Sequence, residues 1–302
     1  MIDVFVAGSL HWDVVVDAPR LPRLDETLMG RSVDYRFGGK GGNQAVAAAR
    51  MGASVAMAGR IGRDAFGQQL RFALAAAGVD HAQVLECDDA SGMSVAIVDA
   101  AGDYGAVVVS AANTALNPDD IRLPDGLKVM LLQNEVPEAV NLALAKRAGD
   151  DTRVLLNAAP ARALPAALLA RVDVLITNRI EAAALTGADR DALEPEAAAK
   201  QLCAMGPQSA IVTLGADGLV CADASGVTTL AACRVDTASS HGAGDMFCGA
   251  LASELARGAS LAKAAEFGNA AAALAVSMDV HARVELTPDA VRRFMATADK
   301  PH

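Results

Sequence analysis

The sequence predicts an α/β fold: a doubly wound, mainly parallel sheet flanked by helices, with a small β-sheet lid. Three observations carry that expectation. Short apolar runs alternate with helix-like stretches, aromatic residues make up only 3% of the chain beside abundant alanine, and three strand-like segments break the alternation. Continuous apolar runs suit strands buried on both faces, as in parallel sheets covered by helices. Scarce aromatics and plentiful alanine suit helices packed on a sheet better than an aromatic-rich sandwich.

The apolar runs are Val4 to Ala7, Val55 to Ala58, Val129 to Leu132, Val154 to Leu156, Val174 to Ile176 and Ala210 to Thr213. The exceptional segments are Asp13 to Ala18, Leu28 to Phe37 and Met93 to Ser110, the last interrupted by a turn at Ala100-Ala101-Gly102-Asp103. That interruption reads as a β-hairpin. Together the three predict a discontinuous flap, from about 13–37 and 92–112, that closes over a ligand. The alternative is that they extend the main sheet. No repeat or low-complexity linker divides the chain, and Gly187 to Asp191 and Leu116-Asn117-Pro118 read as surface connections. The expected organisation is therefore one domain over residues 1–302 plus the flap.

A formal net charge of −10 with no Lys or Arg stripe argues against a nucleic-acid partner. Five cysteines (Cys87, Cys203, Cys221, Cys233 and Cys248), odd in number and without CxxC spacing, read as thiols in a reducing compartment. Met1-Ile2-Asp3-Val4 carries an early acid and no basic region, so it reads as a first strand and not a signal peptide. The longest uncharged apolar stretch, Phe267 to Met278, falls short of the roughly 20 residues a bilayer span needs. A cytoplasmic protein without membrane partners is expected.

Two glycine clusters carry the chemistry. Phe37-Gly38-Gly39-Lys40-Gly41-Gly42-Asn43-Gln44 precedes a helix-like run, allows close backbone approach to a ligand and adds Lys40 and Asn43 as donors. It has no Gly-Lys-Ser/Thr and stands too far from the first strand for a dinucleotide fingerprint, and a plain glycine-rich turn would look the same. The second cluster, Ser239-Ser240-His241-Gly242-Ala243-Gly244-Asp245, opens another helix whose first N–H groups would face an anion. Asp245 is then either a helix-capping acid or a base that accepts a proton from an attacking hydroxyl.

Taken together, the two clusters resemble the signatures of the ribokinase-like carbohydrate kinase family, closest to its ribokinase branch. The likeness extends over Gly8-Ser9 with Asp13, Leu131 to Glu135, Leu156 to Ala161, Thr177 to Glu181 and Thr213-Leu214-Gly215. It implies transfer of the γ-phosphoryl group of ATP to a hydroxyl of a pentose or related, ribose-like sugar. Asp245 would be the base, and Gly242, Ala243 and Gly244 the anion hole. His11, Asp13, Gly39, Lys40, Asn43 and Glu135 would surround the sugar, whose hydroxyls suit carboxylate acceptors and amide or ammonium donors. Thr213, Gly215, Asn178 and Asn269 would meet the nucleotide, although a helix Asn such as Asn269 is also an ordinary polar residue. Asn178 and Glu181 match an Asn-x-x-Glu element that places Mg²⁺ through water; the same pair is a plausible helix cap. The resemblance further implies a homodimer paired through the β lid.

Two departures stand out. Ser239 occupies the place of an aspartate that forms part of the family's monovalent-cation site, and Asp236-Thr237 lies three residues too early to replace it unless a bulge re-registers the chain. Ser277 to Arg283 also lacks the Gly-Ala pattern of the cation-binding turn, so weak or absent potassium activation is expected. His11 stands where the family's ribose-binding branch has an asparagine, which puts ribose in doubt. A nucleoside or small-polyol kinase remains open as an alternative, as does a non-catalytic sugar or nucleotide sensor. A nicotinamide-dependent dehydrogenase would need an early GxGxxG, which the chain lacks.

Overall fold

The computed structural model describes residues 1–99 and 104–298. In chain order its strands are β1 (Val4–Ala7), β2 (His11–Asp17), β3 (Ser32–Gly38), β4 (Val55–Gly62), β5 (Asp80–Cys87), β6 (Gly92–Val98) and β7 (Tyr104–Val109). They continue as β8 (Val129–Gln133), β9 (Arg153–Asn157), β10 (Val174–Asn178), β11 (Ser209–Thr213), β12 (Leu219–Asp223) and β13 (Gly226–Leu230). The α-helices are α1 (Lys40–Arg50), α2 (Ala65–Ala76), α3 (Glu138–Arg147), α4 (Ala166–Leu169), α5 (Arg179–Thr186), α6 (Pro195–Ala204), α7 (Ala243–Ala256), α8 (Leu261–Val276) and α9 (Pro288–Ala298). Among the described residues, no helix is long and apolar enough to cross a membrane.

The main sheet has the order β13-β12-β11-β10-β9-β8-β1-β4-β5. From β11 through β5 neighbouring strands are parallel, whereas β12 and β13 are antiparallel. All six apolar runs lie in the parallel portion. Their side chains alternate between two helical layers: Phe5, Met130 and Leu156 meet Val140, Leu144 and Leu202, while Val6, Leu131 and Leu155 meet Ala45, Leu251 and Ala264. Burial on both faces removes the usual polar positions from each strand, hence the unbroken apolar runs. The edge strands β5 and β13 are largely exposed or half-buried and carry no such run.

The exceptional segments form a separate sheet, order β3-β2-β6-β7, and do not extend the main one. β3 begins at Ser32, so the expected strand from Leu28 starts late; the expected turn at residues 100–103 lies outside the described residues.

Strand order diverges at β1, with β4 on one side and β8 on the other. In such sheets a crevice opens beyond the carboxyl ends of the strands at that switch. Gln133, Asn157, Asn178 and Thr213 end their strands there. Two helices converge on the same crevice, and glycines set their approach. A Cβ on Gly249 of α7 would lie 2.5 Å from Ala47 Cβ and 2.6 Å from Ala48 N of α1, so the two backbones nearly touch. Gly41 sits equally close to the turn after β1: a Cβ there would come within 2.6 Å of Gly8 C and Ser9 N.

Candidate active site

Asp245 is the third residue of α7, not its cap. Its carboxylate accepts hydrogen bonds across the helix pair, from Asn43 Nδ2 at 3.2 Å and Gln44 Nε2 at 2.9 Å. The capping reading of Asp245 therefore does not describe the geometry. Gln44 is itself held from behind, because its Oε1 accepts from Gln133 Nε2 at 2.8 Å. Gln44 and Gln133 are fully buried and form an amide relay that aims the Gln44 Nε2 donor at Asp245.

Gly242 precedes α7 in the left-handed region, φ 75°, and supplies no side-chain cap. The helical ladder begins with Met246 N–H donating to Gly242 O, while Ala243 N–H makes a longer turn bond to Ser240 O at 3.3 Å. The N–H groups of Gly244 and Asp245 precede that ladder and are available to an anion at the helix N-terminus. A Cβ on Gly244 would meet nothing within 4 Å, so the space before the hole is open.

The start of α1 depends on a similar glycine. Gly39 has φ 85°, and a Cβ there would lie 2.8 Å from both His11 N and Ser9 O. The turn brings Lys40 N–H onto Glu135 Oε2 at 2.8 Å, and the same oxygen accepts from Ser9 Oγ. Asp13 lies on β2 of the smaller sheet, accepts from Ser94 Oγ at 2.6 Å and packs its carboxylate against Gly38. His11 is buried with Nε2 unpartnered.

Charges inside this shell shift one another. Burial raises Asp245 above the ordinary carboxylate range, opposed by the Lys40 ammonium and the two amide donors. Burial acts to lower Lys40, but attraction to Asp245, Glu135 and Glu181 outweighs it and the ammonium is stabilised. Glu181 is raised, first by burial and also by Asp245, against the Asn178 N–H and Lys40. Three carboxyl groups thus surround one ammonium.

Asn178 and Glu181 form a full capping box on α5: Asn178 Oδ1 accepts from Glu181 N–H at 2.9 Å, and Glu181 Oε2 from Asn178 N–H at 2.7 Å. Both also line a cavity of about 250 Å³ with Lys40, Gly242, Gly244 and Asp245, so the cap reading and the site reading hold together. Among the described residues, no cluster of three or more His, Cys, Asp or Glu could cage a metal by itself. Carboxyl and amide oxygens lining a cavity, without a protein cage, fit Mg²⁺, which keeps waters and uses substrate phosphates as ligands.

A second cavity of about 450 Å³ adjoins the first through the shared residues Thr213, Ala243 and Gly244 and continues to Gly215 and Asn269. Asn269 donates its amide to Ala231 O at 2.8 Å, which fixes it at the cavity wall. The structure thus brings Asp245, the glycine loop, Lys40, Asn43, Asn178, Glu181, Thr213, Gly215 and Asn269 around one cleft. Asp13, His11, Gly39 and Glu135 adjoin its other end through the β1–β2 and β3–α1 turns. Gln44 and Gln133 were not among the expected site residues; Gln44 lies within the first glycine cluster, and the partnership of the two depends on α1 packing over β8.

The sequence from residue 1 to 279 matches the family model described as pfkB family carbohydrate kinase. Ribokinase from Haemophilus influenzae is 34% identical over 281 residues, covering 90% of this chain and 91% of that protein. The structure of ribokinase from Thermotoga maritima superposes with a TM-score of 0.88 at 27% identity, covering 98% of this chain and all of the other. Arabidopsis thaliana ribokinase, solved complexed with ribose and ATP, superposes with a TM-score of 0.86 at 25% identity, with both chains covered completely.

If Gln44 is the donor that keeps Asp245 ionised, Gln44→Leu removes a bond to the charged form and raises the Asp245 pKa further. For a reaction that needs ionised Asp245, the acid limb of the pH–rate profile is expected to move to higher pH. The unpaired Gln133 amide should cost about 1–3 kcal/mol of stability by urea unfolding. An unmoved acid limb would separate Gln44 from the control of Asp245.

Proposed function

We propose that this chain, which belongs to the pfkB family of carbohydrate kinases, transfers the γ-phosphoryl group of ATP to a hydroxyl of a pentose or related, ribose-like sugar. The observation that carries the reading is the Asp245 carboxylate, clamped by Asn43 and Gln44 one turn inside an uncapped helix N-terminus. Acceptor and anion hole then lie side by side, as an in-line displacement needs. The ribokinases to which the chain is similar, one of them bound to ribose and ATP, support the same substrates here.

In this mechanism Asp245 takes the proton of the sugar hydroxyl as the new O–P bond forms and the bond from the γ-phosphorus to the β,γ-bridging oxygen breaks. ADP carries away the bridging oxygen's electron pair. The Gly242-Ala243-Gly244 turn stabilises charge on the transferring group through the N–H groups it leaves free, those of Gly244 and Asp245, and through the helix dipole, the kind of pre-positioned stabilisation on which phosphoryl transfer depends. Asp13, Glu135, Asn43 and Lys40 orient the sugar, with Gly39 allowing its close approach and His11 closing the shell behind Asp13. Thr213, Gly215 and Asn269 line the place of the nucleotide. Asn178 and Glu181 would hold Mg²⁺ through water, and the ion would neutralise phosphate oxygens.

The smaller sheet is read as a lid that also pairs two protomers. Its cross-strand register aligns Tyr35, Val14, Val95 and Val107 in one row and Val33, Val16 and Ile97 in the next. Val33, Tyr35 and Val107 are more than half exposed, so one face of the sheet is an apolar surface.

Two measurements test these readings. Asp245→Asn should bind ATP normally and lose about 10²–10⁴-fold in kcat on the best sugar of a pentose, hexose and nucleoside panel. Turnover equal to wild type would refute the base; turnover by wild type only on a nucleoside would move the substrate class. Sedimentation velocity should show a dimer that Val107→Lys converts to monomer, whereas a wild-type monomer at all concentrations would refute the lid interface.

A further inference from the structure

The loop that leads into α7 raises an electrostatic problem. Gly242 turns the chain through the left-handed region into α7, and the carbonyls of Ser239 and His241 just before it accept from one donor group. Those two oxygens converge on one point. Partial negative charges brought together beside an anion hole repel each other, and a cation between them relieves that repulsion. The loop itself carries no acid for such a cation, since Ser239 is uncharged and Asp236 is exposed; the nearest help is the Asp279 carboxylate, which favours a positive charge at Arg283 without a direct ion pair.

At that point lies the Arg283 guanidinium. Its Nη1 donates to His241 O at 2.5 Å and its Nη2 to Ser239 O at 2.7 Å, across 42 and 44 residues of sequence. Arg283 is only 8% exposed and has no ion pair with a carboxylate shorter than 4 Å among the described residues. Its Nε is buried without a partner, so the side chain is held in place chiefly by those two carbonyls. A Cβ on Gly242 would lie 3.7 Å from Nη1, so the guanidinium packs directly against the first glycine of the hole. The loop is anchored independently on its other side, where Ala238 N–H and Ser239 N–H both donate to Val276 O at the end of α8.

We infer that Arg283 is a positioning residue, a tethered cation that occupies the carbonyl nest behind the anion hole and holds Gly242 to Gly244 in register for phosphoryl transfer without a bound monovalent metal ion. A planar fork with fixed donors matches two converging carbonyls. Being covalently attached, it leaves no vacancy for potassium. The inference rests on the kinase reading, but its readout is separable from it: Asp245→Asn tests whether the chain catalyses the transfer, and the cation experiments ask only what sets the rate of a transfer already observed.

The experiment measures kcat and KM of wild type and of Arg283→Ala in sodium, potassium or choline chloride, with and without methylguanidinium. Wild type is expected to run at the same rate in all three salts. Arg283→Ala should lose about 10²–10³-fold in kcat, the scale of losing one donor of an anion hole, with KM for the sugar little changed. Potassium or methylguanidinium should restore part of that rate by refilling the nest. Arg283→Lys, which retains the charge and carries the test should the alanine variant fail to fold, should fall between wild type and Arg283→Ala. Many-fold activation of wild type by potassium over sodium would overturn the inference. So would a folded Arg283→Ala with wild-type kcat, or a loss that neither cation relieves, which would mark a merely structural role.

Discussion

The close parallel packing of α1 on α7 is the constraint on which the site depends. Gly249 lets the two backbones approach until no Cβ fits between them, and Asp245, one turn earlier, then faces Asn43 and Gln44. A wider spacing would put those amides out of hydrogen-bond reach. The same contact places the starts of both helices at the carboxyl ends of the parallel strands, so two glycine-rich turns, 200 residues apart in sequence, open on one crevice. Nothing in either turn alone would make a site.

Burial then sets the chemistry. A carboxylate in the cleft resists ionisation, which suits a base that must hold a proton briefly, but it must still be ionised to act. Lys40 and the amides of Gln44 and Asn43 pull in the opposite direction, toward the ionised form that the proposed base requires. Lys40 is in turn stabilised by the carboxylates around it. Asp245, Lys40 and Glu181 are therefore coupled, so that altering one shifts the other two, and the Glu135 charge acts on Asp245 and Lys40 from beside them.

Much of this was legible in the sequence, for identifiable reasons. The parallel strands announce themselves because both faces are buried and polar residues are excluded from them. β5, β12 and β13 did not: β5 and β13 lie half in solvent, and β12, although buried, is a short strand paired antiparallel on both sides and outside the alternation of strand and helix. The glycine turns were visible because left-handed φ values and close approaches require glycine at Gly39 and Gly242. Asp245 and the Asn178–Glu181 pair each admitted a capping interpretation; the geometry removes it for Asp245 and retains it for the pair. Buried amides such as Gln44 and Gln133 carry no signal until their partners are known. Arg283 was present in a loop noted only for what it lacked, and its significance depends on two carbonyls about 40 residues away in the chain.

The most direct test of the account is a crystal structure of the protein with a non-hydrolysable ATP analogue and ribose. The account predicts one sugar hydroxyl on the Asp245 carboxylate, in line with a γ-phosphorus seated on the amides of the Gly242 to Gly244 turn. A sugar hydroxyl aligned with that phosphorus but bonded to a different side chain, with Asp245 still enclosed by Asn43 and Gln44, would contradict it.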